Sequence, residues 1–221
     1  MAVTVEHPFT KVLHDAAYGE FPAPSGGATA LGAVPGPCDS AAIFAHHVMV
    51  AADVDQAWVD ANYTGTRGLA GANPSGPFFK FVHALSDRLG NPPTYASLLM
   101  AAPPKTAYLH GKIVEGGEPD SSWAQYRTDV RCYEYSSPGA VGAFALGRGP
   151  GGRWEVFFRV DEGPGGRVGR ELLAAAKTVA PDKGVLYGST PLHDPRVIRI
   201  GIASGFLPIC TEILFLTRPQ R

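Results

Sequence analysis

The stretch 154–173, WEVFFRVDEGPGGRVGRELL, constrains this chain more than any other, because an apolar strand runs through a glycine-rich turn straight into an amphipathic helix. A helix that opens on glycines leaves its first backbone N–H groups without partners, and the aligned peptide dipoles add partial positive charge there. Phosphate oxygens are favoured at such a point. Gly165, Gly166 and Gly169 permit close backbone approach, and Arg167 and Arg170 carry guanidinium forks that pair with phosphate oxygens at two points. A glycine turn before a helix is also a common tight connection, so its surroundings have to decide between the two readings.

Those surroundings are regular. Residues 141–148 and 153–160 read as strands joined by the turn Gly149-Pro150-Gly151-Gly152, an antiparallel hairpin. A helix over 168–180 is halted by Pro181, a short strand follows at 184–189, a helix over 194–204 ends at Gly205, and 207–216 is a last strand. Upstream, 123–135 reads as a further strand. The first half is less even. A short helix over 8–18 leads into a loop or arm rich in proline and glycine up to residue 40. The run AAIFAHHVMVA, 41–51, suits one buried strand, and Asp55 caps a helix over 55–62. Phe78, Phe81, Val82, Leu85 and Leu89 form one helical stripe, with Pro77 at the first turn and Gly90 as the stop. Shorter apolar runs at 95–101 and 107–114 follow, the second alternating as a strand does.

Charge and cysteine content exclude several classes of function. Lys and Arg number 19 against 20 Asp and Glu, a formal charge of -1, so no basic field exists to hold a nucleic-acid backbone. No apolar run reaches the roughly 20 residues of a membrane helix, and the N-terminal residues mix Glu6, His7, Lys11 and Asp15 among apolar ones, unlike a secretory leader. A soluble, cytoplasmic protein is expected. Cys38, Cys132 and Cys210 are far apart and form no CxxC pair, so neither a disulfide framework nor a zinc site is signalled. On a strand, His46 and His47 would point to opposite faces, which disfavours joint metal ligation, and no serine lies in a GxSxG setting. No metal is expected.

The segment 141–216 resembles the GNAT superfamily of acyl-CoA-dependent N-acyltransferases, in a form common in high-GC actinobacteria. The matching pieces are Gly147-Arg148-Gly149 with Gly152-Arg153-Trp154-Glu155-Val156, then Gly166-Arg167-Val168-Gly169-Arg170-Glu171-Leu172-Leu173, and finally Ala203-Ser204-Gly205-Phe206-Leu207-Pro208-Ile209-Cys210 with Thr211-Glu212-Ile213-Leu214. The resemblance implies an α/β fold with a mixed, mostly antiparallel central sheet flanked by helices. It also implies a helix and arm over 1–40 and a single domain over 41–221, with a divergent half, 41–140, and an acyl-CoA-binding half, 141–216. The strand over 153–160 would splay from that over 184–189 and leave a V-shaped cleft. Main-chain groups of Phe158, Arg159 and Val160 would pair with a pantetheine arm, and Gly165, Gly166, Arg167, Val168, Gly169 and Arg170, with Asp194, would hold the diphosphate.

The cofactor implied is acetyl-CoA or another acyl-CoA, and the partner a small-molecule or peptide amine, with a homodimer as an open alternative. Glu155 stands where some relatives keep a glutamate that deprotonates the acceptor amine, a step chemically needed before attack on a thioester; it can equally be a solvent-facing strand residue. The pattern also departs from the family's. The turn is one residue shorter, with Arg167 in place of a glycine. Asp194 stands where an Asn is common. Gly201 stands where a tyrosine protonates the leaving thiolate, so acid catalysis would fall to Tyr187 or water. An acyl-CoA-binding or regulatory protein without turnover is the second reading that these departures suggest.

Overall fold

The computed structural model describes residues 7–64, 76–94, 96–105, 111–118, 125–181 and 184–216. Residue 95 of the apolar run at 95–101, residues 107–110 of the expected strand at 107–114 and residues 123–124 of that expected over 123–135 lie outside these ranges. The chain forms two compact units: Met1–Ser97 with Ile209–Arg221, and Leu98–Pro208. Residues 98–140 therefore belong with most of the segment that carries the glycine turn.

In the first unit, helix α1 (Pro8–Ala17) is followed by strands β1 (Ala28–Ala30), β2 (Cys38–Phe44) and β3 (His47–Ala51), and then by helices α2 (Gln56–Asn62) and α3 (Gly76–Leu89). The last strand of the chain, β10 (Leu207–Leu216), joins the sheet from Ile209 onward, in the order β1-β3-β2-β10. The 41–51 segment, expected as one strand, is a hairpin: Phe44 pairs with His47, and His46 takes a left-handed conformation at φ 68°. Histidine is among the few side chains that tolerate that region, and with no glycine or proline present the sequence shows no break. Part of the expected arm, 28–30 and 38–40, is also strand. Asp55 caps α2 as expected, its carboxylate accepting from the Trp58 N–H at 2.7 Å. Phe78, Phe81, Val82 and Leu85 of α3 are buried, in a core with Val48, Val50, Ile213 and Phe215.

The second unit is a mixed, mostly antiparallel sheet flanked by helices. Its strands are β4 (Ser97–Ala102, from Leu98), β5 (Lys112–Glu115), β6 (Thr128–Ser137), β7 (Ala140–Arg148), β8 (Trp154–Glu162) and β9 (Leu186–Pro191), in the order β4-β9-β8-β7-β6-β5. The meander β5 to β8 is antiparallel throughout, and β9 runs parallel to β8 after the crossover helix α4 (Gly165–Val179). Helix α5 (Pro195–Ala203) follows β9. The expected hairpin over 141–160 is present, its turn a short 3-10 helix at Pro150–Gly152. Leu172, Ala175 and Ala176 of α4 bury against Phe144, Leu146 and Val156 of the sheet, and Tyr133 stacks on Phe144 at 4.9 Å between ring centroids. None of the helices is long and apolar enough to cross a membrane among the described residues.

Two details of this core set the site. Helix α4 begins at Gly165, three residues before the expected Val168, because the glycine turn is itself the first helical turn. Where α4 lies on β7, Gly142 has no room for a side chain: a Cβ would stand 2.5 Å from the Arg159 carbonyl oxygen and 2.9 Å from Leu172 Cδ1. Gly142→Ala should therefore destabilise the unit by about 1–3 kcal/mol through overpacking, read as a drop of several degrees in the thermal midpoint; an unchanged midpoint would show that the strand shifts at no cost.

Candidate functional site

Strand β8 is hydrogen-bonded along its length on one edge only. There β7 pairs with it from Arg148↔Trp154 to Val141↔Glu162; on the other edge β9 meets it at a single register point, Glu155↔Tyr187. Beyond that point the two strands part. The gap holds a cavity of about 180 Å³, bordered by Val156, Phe157 and Phe158 on β8 and by Gly188, Ser189 and Thr190 on β9. β9 ends at Pro191, which has no N–H to extend a ladder. Past Glu155 no further register pair joins β8 to β9 among the described residues. The Arg159 side chain itself turns to solvent and pairs with Asp161 at 2.6 Å.

Phe158 and Val197 line both this cavity and a wider corner of about 540 Å³, where Gly165, Gly166 and Arg170 of α4 face Asp194, Arg196 and Arg199 around the start of α5. The two helix starts differ. Pro164, the residue capping α4, has no side-chain acceptor, and no side chain caps the helix. Gly165 and Gly166 sit in its first two positions with N–H groups of the kind that helix geometry leaves orphaned. α5 is capped from within: Asp194 accepts from the Arg196 and Val197 amides at 3.1 and 3.4 Å. The slight burial that would raise the Asp194 pKa is outweighed by these amides and the Arg196 guanidinium, which hold it below its ordinary value. Asp194 is thereby committed to its own helix. Three arginines against one internally satisfied aspartate leave the corner suited to an anion.

Other residues expected to bind the anion do something else. Arg167 points away: its Nε donates to Glu171 at 2.9 Å and its Nη2 to the Pro138 carbonyl at 2.6 Å, in the β6–β7 turn. It neither contacts nor plugs the corner. Val168 is wholly buried. Gly169 serves packing, since a Cβ there would come within 3.0 Å of Ile200 Cγ2 and 3.2 Å of the Phe158 ring.

Glu155 neither faces solvent nor offers an accessible base. It is fully buried, and each carboxylate oxygen is chelated by one guanidinium. Arg153 donates to Oε1 through Nε and Nη2 at 2.7 and 2.6 Å, and Arg127 to Oε2 at 2.9 and 2.8 Å. Burial alone would raise its pKa, but the charges and hydrogen bonds of Arg153 and Arg127 overcome that and lower it. Arg127 lies between Phe157, 3.2 Å from the ring centroid, and Tyr126, and its stem covers Gly147. Gly149 has no side chain because a Cβ would overlap the Glu155 carboxylate. Tyr187 is likewise buried, 3% exposed, at the closed end of the cleft and with Arg153 beside its ring.

No family model matches the sequence, and no curated protein does. Among solved structures, a GCN5-related N-acetyltransferase from Kribbella flavida is similar over 62% of this chain at 16% identity, with a TM-score of 0.37, and this chain spans 64% of its length. So loose a superposition leaves the functional reading to the geometry.

Four side chains were missed by sequence reasoning. Arg127 precedes β6 and lies 28 residues from the carboxylate it pairs with, so no local spacing reveals it. Arg196 and Arg199 join the corner because they sit one turn apart at the start of α5, a spacing visible in the sequence. Thr190 faces the cavity at 3% exposure with its hydroxyl unpaired, and no pattern announces that.

Proposed function

We propose that this chain is an acyl-CoA-dependent N-acyltransferase of the GNAT type, moving an acyl group from a coenzyme A thioester to an amine. The observation that carries the reading is the parting of β9 from β8 after Glu155↔Tyr187, which opens a cleft leading to the uncapped glycine start of α4. The residues fit the cofactor. Uncapped amides at Gly165 and Gly166 with Arg170, Arg196 and Arg199 suit its phosphates, and the cleft between the parting strands β8 and β9 suits its arm. When bound, the thioester supplies the activated acyl carbon.

The chain's own part is binding and orientation. Glu155 at the closed end of the cleft is sequestered by two arginines, so among the described residues it is not the acceptor of the amine's proton, and the amine reacts as its neutral form. Glu155 instead fixes the strand pair at the point where the cleft begins. Thiol release from acetyl-CoA against a panel of amines tests this. The expected result is amine-dependent release that rises with pH through the acceptor's own pKa, with no step in the carboxylate range. Stabilisation by coenzyme A without thiol release from any amine would contradict transfer and leave a binding protein.

A further inference from the structure

Away from the cleft, Ser25, His47 and Thr29 of the first unit have the connectivity of a nucleophile, a base and an orienting group. Ser25 Oγ is 2.6 Å from His47 Nδ1, and Thr29 Oγ1 is 2.9 Å from Nε2. The main chain fixes this pairing on either side of His47. The Gly26 amide donates to the His46 carbonyl at 2.7 Å, and the Gly27 carbonyl accepts from the Val48 amide at 3.1 Å. β1 then runs parallel to β3 with Thr29 opposite Met49, which sets the threonine hydroxyl against the other ring nitrogen.

A neutral imidazole has one donor and one acceptor. With Thr29 accepting from Nε2–H, Nδ1 is left to accept the Ser25 proton, the tautomer a general base needs. The Gly27 amide donates to the same Ser25 oxygen at 3.1 Å, and an N–H aimed there stabilises the alkoxide as its proton leaves. Burial differs in the sense a reaction requires: His47 is 9% exposed, whereas Ser25 meets solvent. Burial also lowers the His47 pKa, so the ring is neutral at pH 7 and able to take a proton.

We propose that Ser25 and His47 form a second reactive site, independent of coenzyme A, that hydrolyses small activated esters through an acyl-serine. Ser25 Oγ attacks the ester carbonyl carbon as its proton passes to Nδ1; the alcohol departs with that proton and leaves Ser25 acylated. Water then attacks the acyl carbon and gives a proton to Nδ1, and the acid leaves as Ser25 Oγ recovers that proton. Thr29 is the positioning residue.

The full chain with p-nitrophenyl acetate tests the proposal. Nitrophenol should be released beyond one equivalent per chain, and peptide mass spectrometry of acid-quenched protein should find an acetyl group on Ser25. Ser25→Ala should keep the thermal midpoint and lose the release. His47→Gln keeps a side chain that can hydrogen-bond to hydroxyls and should slow release about 100-fold, the low end of what a positioned base contributes. The parent's rate should rise with pH and level off below the ordinary histidine value of 6.5. Thr29→Val should slow release about tenfold, and Thr29→Ser should restore it. Equal release from parent and Ser25→Ala would overturn the site. An unchanged rate in His47→Gln would leave the ring a structural pin and remove the base, and an unchanged rate in Thr29→Val would remove the positioning role. Release that stops at one equivalent would contradict hydrolysis.

Discussion

Glu155→Gln should lower the midpoint of thermal unfolding by about 10 °C, the largest loss expected from any single change in the second unit. The carboxylate is the counter-charge for two guanidinia whose side chains are 3% and 1% exposed. Glutamine keeps the shape but removes the carboxylate charge that both buried guanidinia share, and breaking such a pair costs about 3–5 kcal/mol. For a chain of this size each kcal/mol moves the midpoint by about 2–4 °C. Replacing all three groups with apolar residues of similar volume, as in Arg127→Met with Arg153→Met and Glu155→Leu, should recover most of the loss, because no charge is then left alone. A Gln variant that unfolds within a degree or two of the parent would show that the cluster is not the lock described.

The same cluster gives an acid dependence of known sign. The folded-state pKa of Glu155 is lowered: burial opposes this, and Arg153 and Arg127 prevail. The unfolded chain therefore takes up its proton at the higher pH. The cluster's contribution is whole above the ordinary glutamate value, about 4.3, and is lost as pH falls from there through the folded pKa. Thermal midpoints from pH 7 down to pH 3 should fall more steeply for the parent than for Glu155→Gln.

Arg170→Glu should weaken coenzyme A binding about 100-fold while leaving stability within about 0.5 kcal/mol, as expected for an exposed helix position. A charged hydrogen bond to phosphate contributes about 1.5–3 kcal/mol, and the reversed charge adds repulsion at the mouth of α4, where the helix start and Arg196 and Arg199 converge. Added salt should narrow the difference between parent and variant, since exposed charges are screened. Calorimetric titration at low and high salt reads both effects. Unchanged affinity would place the phosphates elsewhere.

Much of the second unit was legible because its signals are local. The apolar runs over 141–148 and 153–160, the glycine turn between them and the α4 stripe of Leu172, Leu173 and Ala176 each state their element within a few residues. Local signals also pointed to the glycine start of α4, which no side chain caps. What failed depends on partners distant in the chain. Nothing around Glu155 tells a strand glutamate facing water from one chelated by Arg127, which arrives from the lead-in to β6. The direction of Arg167 is set by the Pro138 carbonyl, 29 residues away. Gly169 reads as a ligand glycine until Ile200 of α5 is seen against it. In the first unit, the turn at His46 was hidden because a histidine in a left-handed conformation looks, in sequence, like any residue of an apolar strand.

The cleft between β8 and β9, ending at the glycine start of α4, is tested most directly by a crystal structure of the full chain with coenzyme A. The expected complex has the diphosphate on the Gly165 and Gly166 amides within reach of Arg170, and the arm along the open edge of β8 between Phe158 and Ser189. A cofactor bound elsewhere, or β9 hydrogen-bonded to β8 from Val156 to Val160, would contradict the account.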